Sequence, residues 1–122
     1  MNPFRDQSTF MRACGQSVDG PPGSQFDMYC ALIEEEHTEL KEALAANDDV
    51  EVLDALIDIL VVTIGAIHSM GADAEGAWKE VMSTNFAKID KETGKVRKRE
   101  DGKVLKPTGW TAPVLAPFLT KG

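Results

Sequence analysis

The sequence is poor in the residues that would place it in several familiar classes. It has only two cysteines, Cys14 and Cys30, too few for the multi-bridge framework of a small secreted domain. They are able to pair, but with no secretory signal expected they read as free thiols. Neither has an evident histidine partner, so a cysteine nucleophile is not expected. The two histidines argue against a carboxylate-bridged di-iron bundle, which needs two Glu-x-x-His pairs facing inward. Glu34-x-x-His37 is the only such pair, and Glu34 falls on the outer side of its helix; His37 reads as a core-edge histidine. Long apolar runs are missing too. The longest, Ile59 to Ile67, is interrupted by Thr63 and Gly65 and is too short to span a bilayer. Met1–Gln7 shows no charged segment leading into an apolar one, so no secretory signal is expected. Bases are the minority, thirteen Lys and Arg against twenty Asp and Glu, and a general nucleic-acid binder would carry a basic footprint instead. The expectation is a cytoplasmic protein with neither membrane nor nucleic acid as partner.

What is present is unevenly distributed. Between Asp27 and Asp58 stand eleven acids and a single base, Lys41, while eight of the thirteen bases fall within Lys88–Lys106. Carboxylates in such a cluster can hold a divalent cation, and nearby bases can meet the anionic groups that the cation also contacts. The alternative is a solvated acidic helix and a solvated basic tail. Periodicity and punctuation predict four helices: Phe4–Gly15, about Gln25–Ala46, about Val50–Met70, and a fourth from an Asp73 cap to about Ile89. The fourth is expected to turn Trp78, Val81, Met82 and Phe86 towards a core. Asp19–Ser24 is a breaker segment. Beyond Asp90 glycine and proline recur, with room for a short hairpin around Gly94–Lys103 and none for a long helix. No internal repeat or low-complexity tract is present. The fold class expected is all-α, an antiparallel helical bundle in a single domain over 1–122, with a helical core at about 4–90 and an irregular basic tail at 91–122. The third helix is apolar on nearly all sides, from Val52 and Leu53 to Ile64 and Ile67. Such a helix must be enclosed all round, and a second copy of the chain is expected to complete the bundle.

The acids fall where chemistry can use them. At about 100° per residue, Phe26, Tyr29, Ile33, Leu40 and Leu44 define the apolar arc of the second helix. Glu36 and Glu39 lie on one flank of it, interleaved with Leu32 and Ala43, whereas Glu34 and Thr38 face away. On the third helix Glu51, Asp54 and Asp58 fall within an arc of about 60°. Asp58 sits among Leu56, Ile57, Ile59 and Leu60, and an ionised carboxylate there is costly unless paired or coordinated. That helix has no Lys or Arg. A divalent cation shared with the Glu36/Glu39 edge resolves the conflict, and hard oxygen donors from two facing helices suit magnesium, with manganese as a substitute. The alternative is an Asp58 that bonds to a neighbouring chain without metal.

Leu32-Ile-Glu-Glu-Glu-His-Thr-Glu-Leu40 followed by Asp54-Ala-Leu-Ile-Asp-Ile-Leu-Val-Val62 resembles the paired acidic motifs of the all-alpha NTP pyrophosphatases. That superfamily includes MazG, the dimeric dUTPases and phosphoribosyl-ATP pyrophosphohydrolase. Ser83–Lys88, Gly102–Trp110 and Phe10–Gln16 look MazG-like, so the resemblance covers nearly the whole chain. Its pattern is Glu-x-x-Glu on one helix and Glu-x-x-Asp on the next, together binding magnesium. Glu36 and Glu39 match the first pair and Asp58 the final Asp; Ala55 stands where the fourth acid is expected, and Asp54, or Glu51 in a shifted register, takes its place. The resemblance implies magnesium-dependent hydrolysis of nucleoside triphosphates, with deoxynucleotides favoured, to a monophosphate and pyrophosphate, a house-cleaning task in the nucleotide pool. Glu36, Glu39, Asp54 and Asp58 are then the metal ligands, with Glu35 and Glu36 as the catalytic carboxylates. Asn85 and Lys88, one turn apart on the fourth helix, are candidates to contact phosphate or base, and Arg97 and Lys106 to contact phosphate; the alternatives are an exposed helix end and a solvated tail. Trp110 is expected to pack the tail. The implied partners are the triphosphate substrate and the chain itself, as a homodimer or a dimer of dimers. A helical oligomerisation module without catalysis is the competing reading.

Overall fold

The computed structural model describes residues 2–121. Four α-helices account for its regular structure: α1 Pro3–Ala13, α2 Ser24–Ala45, α3 Asp49–Ser69 and α4 Ala74–Phe86. A 3₁₀ turn follows at Ala116–Phe118, and no strand forms among the described residues. No described helix is long and apolar enough to cross a membrane. The chain divides into two compact units, one of residues 2–74 with 119–121 and the other Glu75–Phe118.

Local chemistry sets the helix ends. The Asn2 side chain accepts a hydrogen bond from Arg5 N at 2.8 Å, and Pro3 opens α1 where its missing N–H costs nothing. Asp48 caps α3 in the same way, accepting from Glu51 N at 3.2 Å. Between α2 and α3 only residues 46–48 intervene, with Asn47 in the left-handed region at φ 52°, which asparagine tolerates better than most side chains. So short a link returns the chain antiparallel, and α2 and α3 pack along their length with α1 against α3.

The core of the first unit gathers Met11, Val18, Tyr29 and Ala66, flanked by the half-buried Phe26, Leu32, Ile33 and Val62. Tyr29 fits because position 65 has no side chain: a Cβ on Gly65 would overlap the phenol ring. The Tyr29 hydroxyl donates to Gln16 Oε1, so the ring is buried with its polar tip satisfied. Gln25 ties the 17–25 segment to the end of α3, its Nε2 donating to Ser17 O at 2.7 Å and to Ser69 Oγ at 2.8 Å. Two backbones also meet there. A Cβ at Gly20 would stand 2.6 Å from Met70 O, and one at Gly71 would collide with the Asp19 carbonyl. Both glycines have positive φ, 67° and 77°, a region costly for other residues.

Burial departs from the expected pattern in three places. Val50, Leu53, Leu56, Ile57, Leu60 and Val61 on α3 are exposed in the single chain, so the all-round apolar helix is only partly covered by its own chain. Trp78 and Phe86 do not enter a core but are 56% and 60% exposed, while Val81 and Met82 are half-buried. His37 is exposed and not a core-edge residue. Helix α4 also ends at Phe86, short of Ile89. Ile89 instead forms an antiparallel bridge with Val96, and Lys98 another with Val104. These bridges turn at Gly94 and Gly102, where Gly94 N donates to Asp90 O and Gly102 N to Arg99 O.

Candidate functional site

Helices α2 and α3 bring the acidic residues to one region of the first unit. A cleft of about 310 Å³ lies between them, bordered by Glu39, Glu42, Asp48, Glu51 and Asp54, with the buried Ala43 and Ala55 lining it. Ala55 thus occupies the place expected for a fourth acid with a methyl group packed into the helix pair. Glu42 and Asp48 were not singled out from the sequence. The one-turn spacing of Glu42 from Glu39, and the short α2–α3 link that returns Asp48 to the same end, are the signals that would have found them.

Glu36 and Asp58 carry the electrostatic tension. Glu36 Oε2 is buried with no hydrogen-bond partner. Burial, followed by the hydrogen bond and charge of Glu39 and the charges of Asp58 and Glu35, pushes the Glu36 carboxyl up to about 7. Burial also raises Asp58, reinforced by the charge of Asp54, the charge of Glu39 and a hydrogen bond to Asp54. Glu36 is thus within electrostatic reach of Glu39 and Asp58, and Asp58 within reach of Asp54 and Glu39. Glu35 is exposed on α2 but close enough to act on Glu36. No group of three or more acids, histidines or cysteines among the described residues stands in a ready-made ion-holding arrangement. The donor set is nevertheless all hard oxygen, with one buried lone pair unused, which is the chemistry a divalent cation requires.

The second unit holds the basic candidates. Lys88 Nζ donates to Asn85 Oδ1 at 3.1 Å, and Asn85 Nδ2 reaches Met82 Sδ at 3.7 Å. Lys88 and Arg97 line a cleft of about 680 Å³ between α4 and the residues after it, together with Trp110. Trp110 Nε1 donates to Thr84 O at 2.7 Å, fixing the indole on α4. The ammonium groups of Lys88 and Lys106 lie 5.0 and 4.9 Å from the centre of that ring, within cation–π range. Lys88, Arg97, Lys106 and Trp110 thus converge; Asn85 joins through its bond to Lys88.

Four helices without strands, carrying facing acidic pairs on an antiparallel helical hairpin, form an all-alpha framework that the comparison with known families places. A family model described as phosphoribosyl-ATP pyrophosphohydrolase matches residues 8–85, and with most of the sequence matched the chain belongs to that family, within the all-alpha NTP pyrophosphatase-like group. It is a family of hydrolases acting on acid anhydrides. The matched span contains Glu36, Glu39, Asp54 and Asp58 and ends at Asn85. No curated protein matches the chain.

Proposed function

We propose that the chain is a magnesium-dependent nucleoside-triphosphate pyrophosphohydrolase of MazG-like type, favouring deoxynucleotides and cleaving the α–β phosphoanhydride to give a monophosphate and pyrophosphate. The observation that carries this reading is the buried, unpartnered Glu36 Oε2 beside Glu39, Asp54 and Asp58. Burial and neighbouring acids disfavour the ionised forms of Glu36 and Asp58, and a divalent cation reverses that preference. Glu36, Glu39, Asp54 and Asp58 would hold magnesium, or manganese in its place, by turning towards a common point. When bound, the ion neutralises the phosphate chain and makes a nearby water easier to deprotonate.

The protein groups then have distinct tasks. Glu35, exposed beside the ligand set, and Glu36 within it are the carboxylates to accept the proton from the attacking water. Water adds to phosphorus, the anhydride bond breaks, and pyrophosphate leaves with the electron pair of that bond. Asn85 on α4 and Lys88 in the turn just beyond its end, with Arg97 and Lys106, offer cationic and hydrogen-bonding groups for phosphate or base. The exposed apolar stripe of α3 supports a homodimer, or a dimer of dimers, because so large a stripe on the helix bearing Asp54 and Asp58 is stable only when covered. The task proposed is house-cleaning of the cytoplasmic nucleotide pool.

The test is to incubate the protein with a panel of NTPs, dNTPs and phosphoribosyl-ATP, with and without magnesium, and to separate the products. Monophosphate and pyrophosphate should form from triphosphates only with the metal and vanish in Asp58→Asn. Turnover confined to phosphoribosyl-ATP would replace the substrate assignment. Intact substrates throughout, with Asp58→Asn folding at least as well as the parent, would leave a non-catalytic helical module.

A further inference from the structure

The cleft of the second unit has a charge pattern that ordinary packing does not explain. Glu75–Phe118 carries nine bases and six acids, within a chain whose formal charge is −7. The bases are not spread evenly over it. Lys88, Lys91 and Arg97 line the cleft of about 680 Å³, and Lys106 reaches the Trp110 ring from which Lys88 is also held at about the same distance. The two acids on the cleft wall are already engaged. A Glu80 carboxylate oxygen accepts from Val114 N at 2.8 Å, and Asp90 Oδ1 accepts from Glu92 N at 2.8 Å and Thr93 N at 3.4 Å. Lys91, Arg97 and Lys106 form no ion pair with a carboxylate among the described residues. Three cations line one hollow and a fourth, Lys106, stands on the indole of its wall; like charges so gathered repel each other unless an anion sits among them.

We propose that this cleft is a binding site for a phosphate chain, filled by Lys88, Lys91, Arg97 and Lys106 without help from a metal ion. The ligand class is a linear polyphosphate, free or as the tail of a nucleotide. Arg97 supplies a planar fork for two phosphate oxygens, and the lysines supply point charges along the chain. Trp110 is a positioning residue: its Nε1–H bond to Thr84 O fixes the ring, and the ring fixes where the Lys88 and Lys106 ammoniums stand. The cleft volume lies in the range that small-molecule sites occupy. The assignment deepens the phosphate-contact role given above to Lys88, Arg97 and Lys106, adding Lys91 and Trp110 and independence from the cation.

The test is a titration of the intact protein in EDTA with inorganic tripolyphosphate, read by calorimetry, alongside Lys91→Ala/Arg97→Ala and Asp58→Asn. Saturable metal-free binding is expected in the parent and in Asp58→Asn. Loss of two charge-assisted contacts should weaken it by about tenfold or more in the double variant, with circular dichroism showing both variants folded. Trp110→Phe, which keeps a ring but lacks the anchoring N–H, should bind several-fold more weakly and restore nothing when salt is lowered. Equal affinity in the double variant, or binding that appears only with magnesium, overturns the proposal. So does tighter binding of single-stranded DNA than of tripolyphosphate, which would make the cleft part of a nucleic-acid surface. Hydrolysis assays on the same proteins, with nucleoside triphosphates and excess magnesium, separate the two readings: turnover with no metal-free binding sinks this proposal alone, and metal-free binding with no turnover sinks the hydrolase alone.

Discussion

Glu36 links burial to pH. Its carboxyl is pushed up to about 7 chiefly by burial and then by Glu39, Asp58 and Glu35, whereas in the unfolded chain it titrates in the ordinary glutamate range. A folded-state pKa above the unfolded one gives stability that is complete at low pH and lost as pH rises through the folded value. Metal-free protein should therefore melt at progressively lower temperature from about pH 5 to pH 8. Glu36→Gln should flatten that slope and raise the melting temperature at pH 8; an unchanged slope would show that Glu36 does not set it. Gly65 makes a simpler case. A methyl there meets the Tyr29 ring, so Gly65→Ala should cost about 1–3 kcal/mol through overpacking, measured by urea denaturation. A stability equal to the parent's would mean that the ring moves freely.

Among the helices, α3 bears most of the consequences. One side buries Ala55 and Ala66, another carries Asp54 and Asp58, and a third is buried at Ile64 but exposes Val50, Leu53, Ile57 and Leu60. Charging that third side should break self-association. Leu53→Glu/Leu60→Glu is expected to elute as a smaller species by size exclusion with light scattering while remaining helical. A parent that is itself monomeric at high concentration would remove the dimer reading. What the sequence disclosed about the helices follows the same division. The extents of α2 and α3 were legible within a residue or two because breakers, an Asp cap and periodicity agree. The end of α4 was not, because Ile89 suits a continued helix as well as a bridge, and it is the tail's hydrogen bonds that draw it to Val96. The exposure of Trp78 and Phe86 was equally hidden, since a helical stripe says which residues share a face and not what covers it. That the acids of α2 and α3 fall on helices packed together was readable from spacing, whereas the Lys88–Trp110–Lys106 arrangement depends on a fold-back that no local pattern encodes.

For the whole chain, charge and metal are the variables to vary together. Magnesium at pH 8 should raise the melting temperature of the parent and leave Asp58→Asn nearly unmoved, because a cation that binds only the folded carboxylate set stabilises by mass action. An equal shift in both proteins would place the ion elsewhere. The crossing of Gly20 and Gly71 bears on how such a chain can change over generations. Each glycine is closed to a side chain by the carbonyl beside the other, so two positions far apart in the sequence share one constraint. A substitution at either opens the same crossing, and the second then has less left to damage. In a library covering every position, these two should be the paired blanks, and the double replacement should be milder than the sum of its halves.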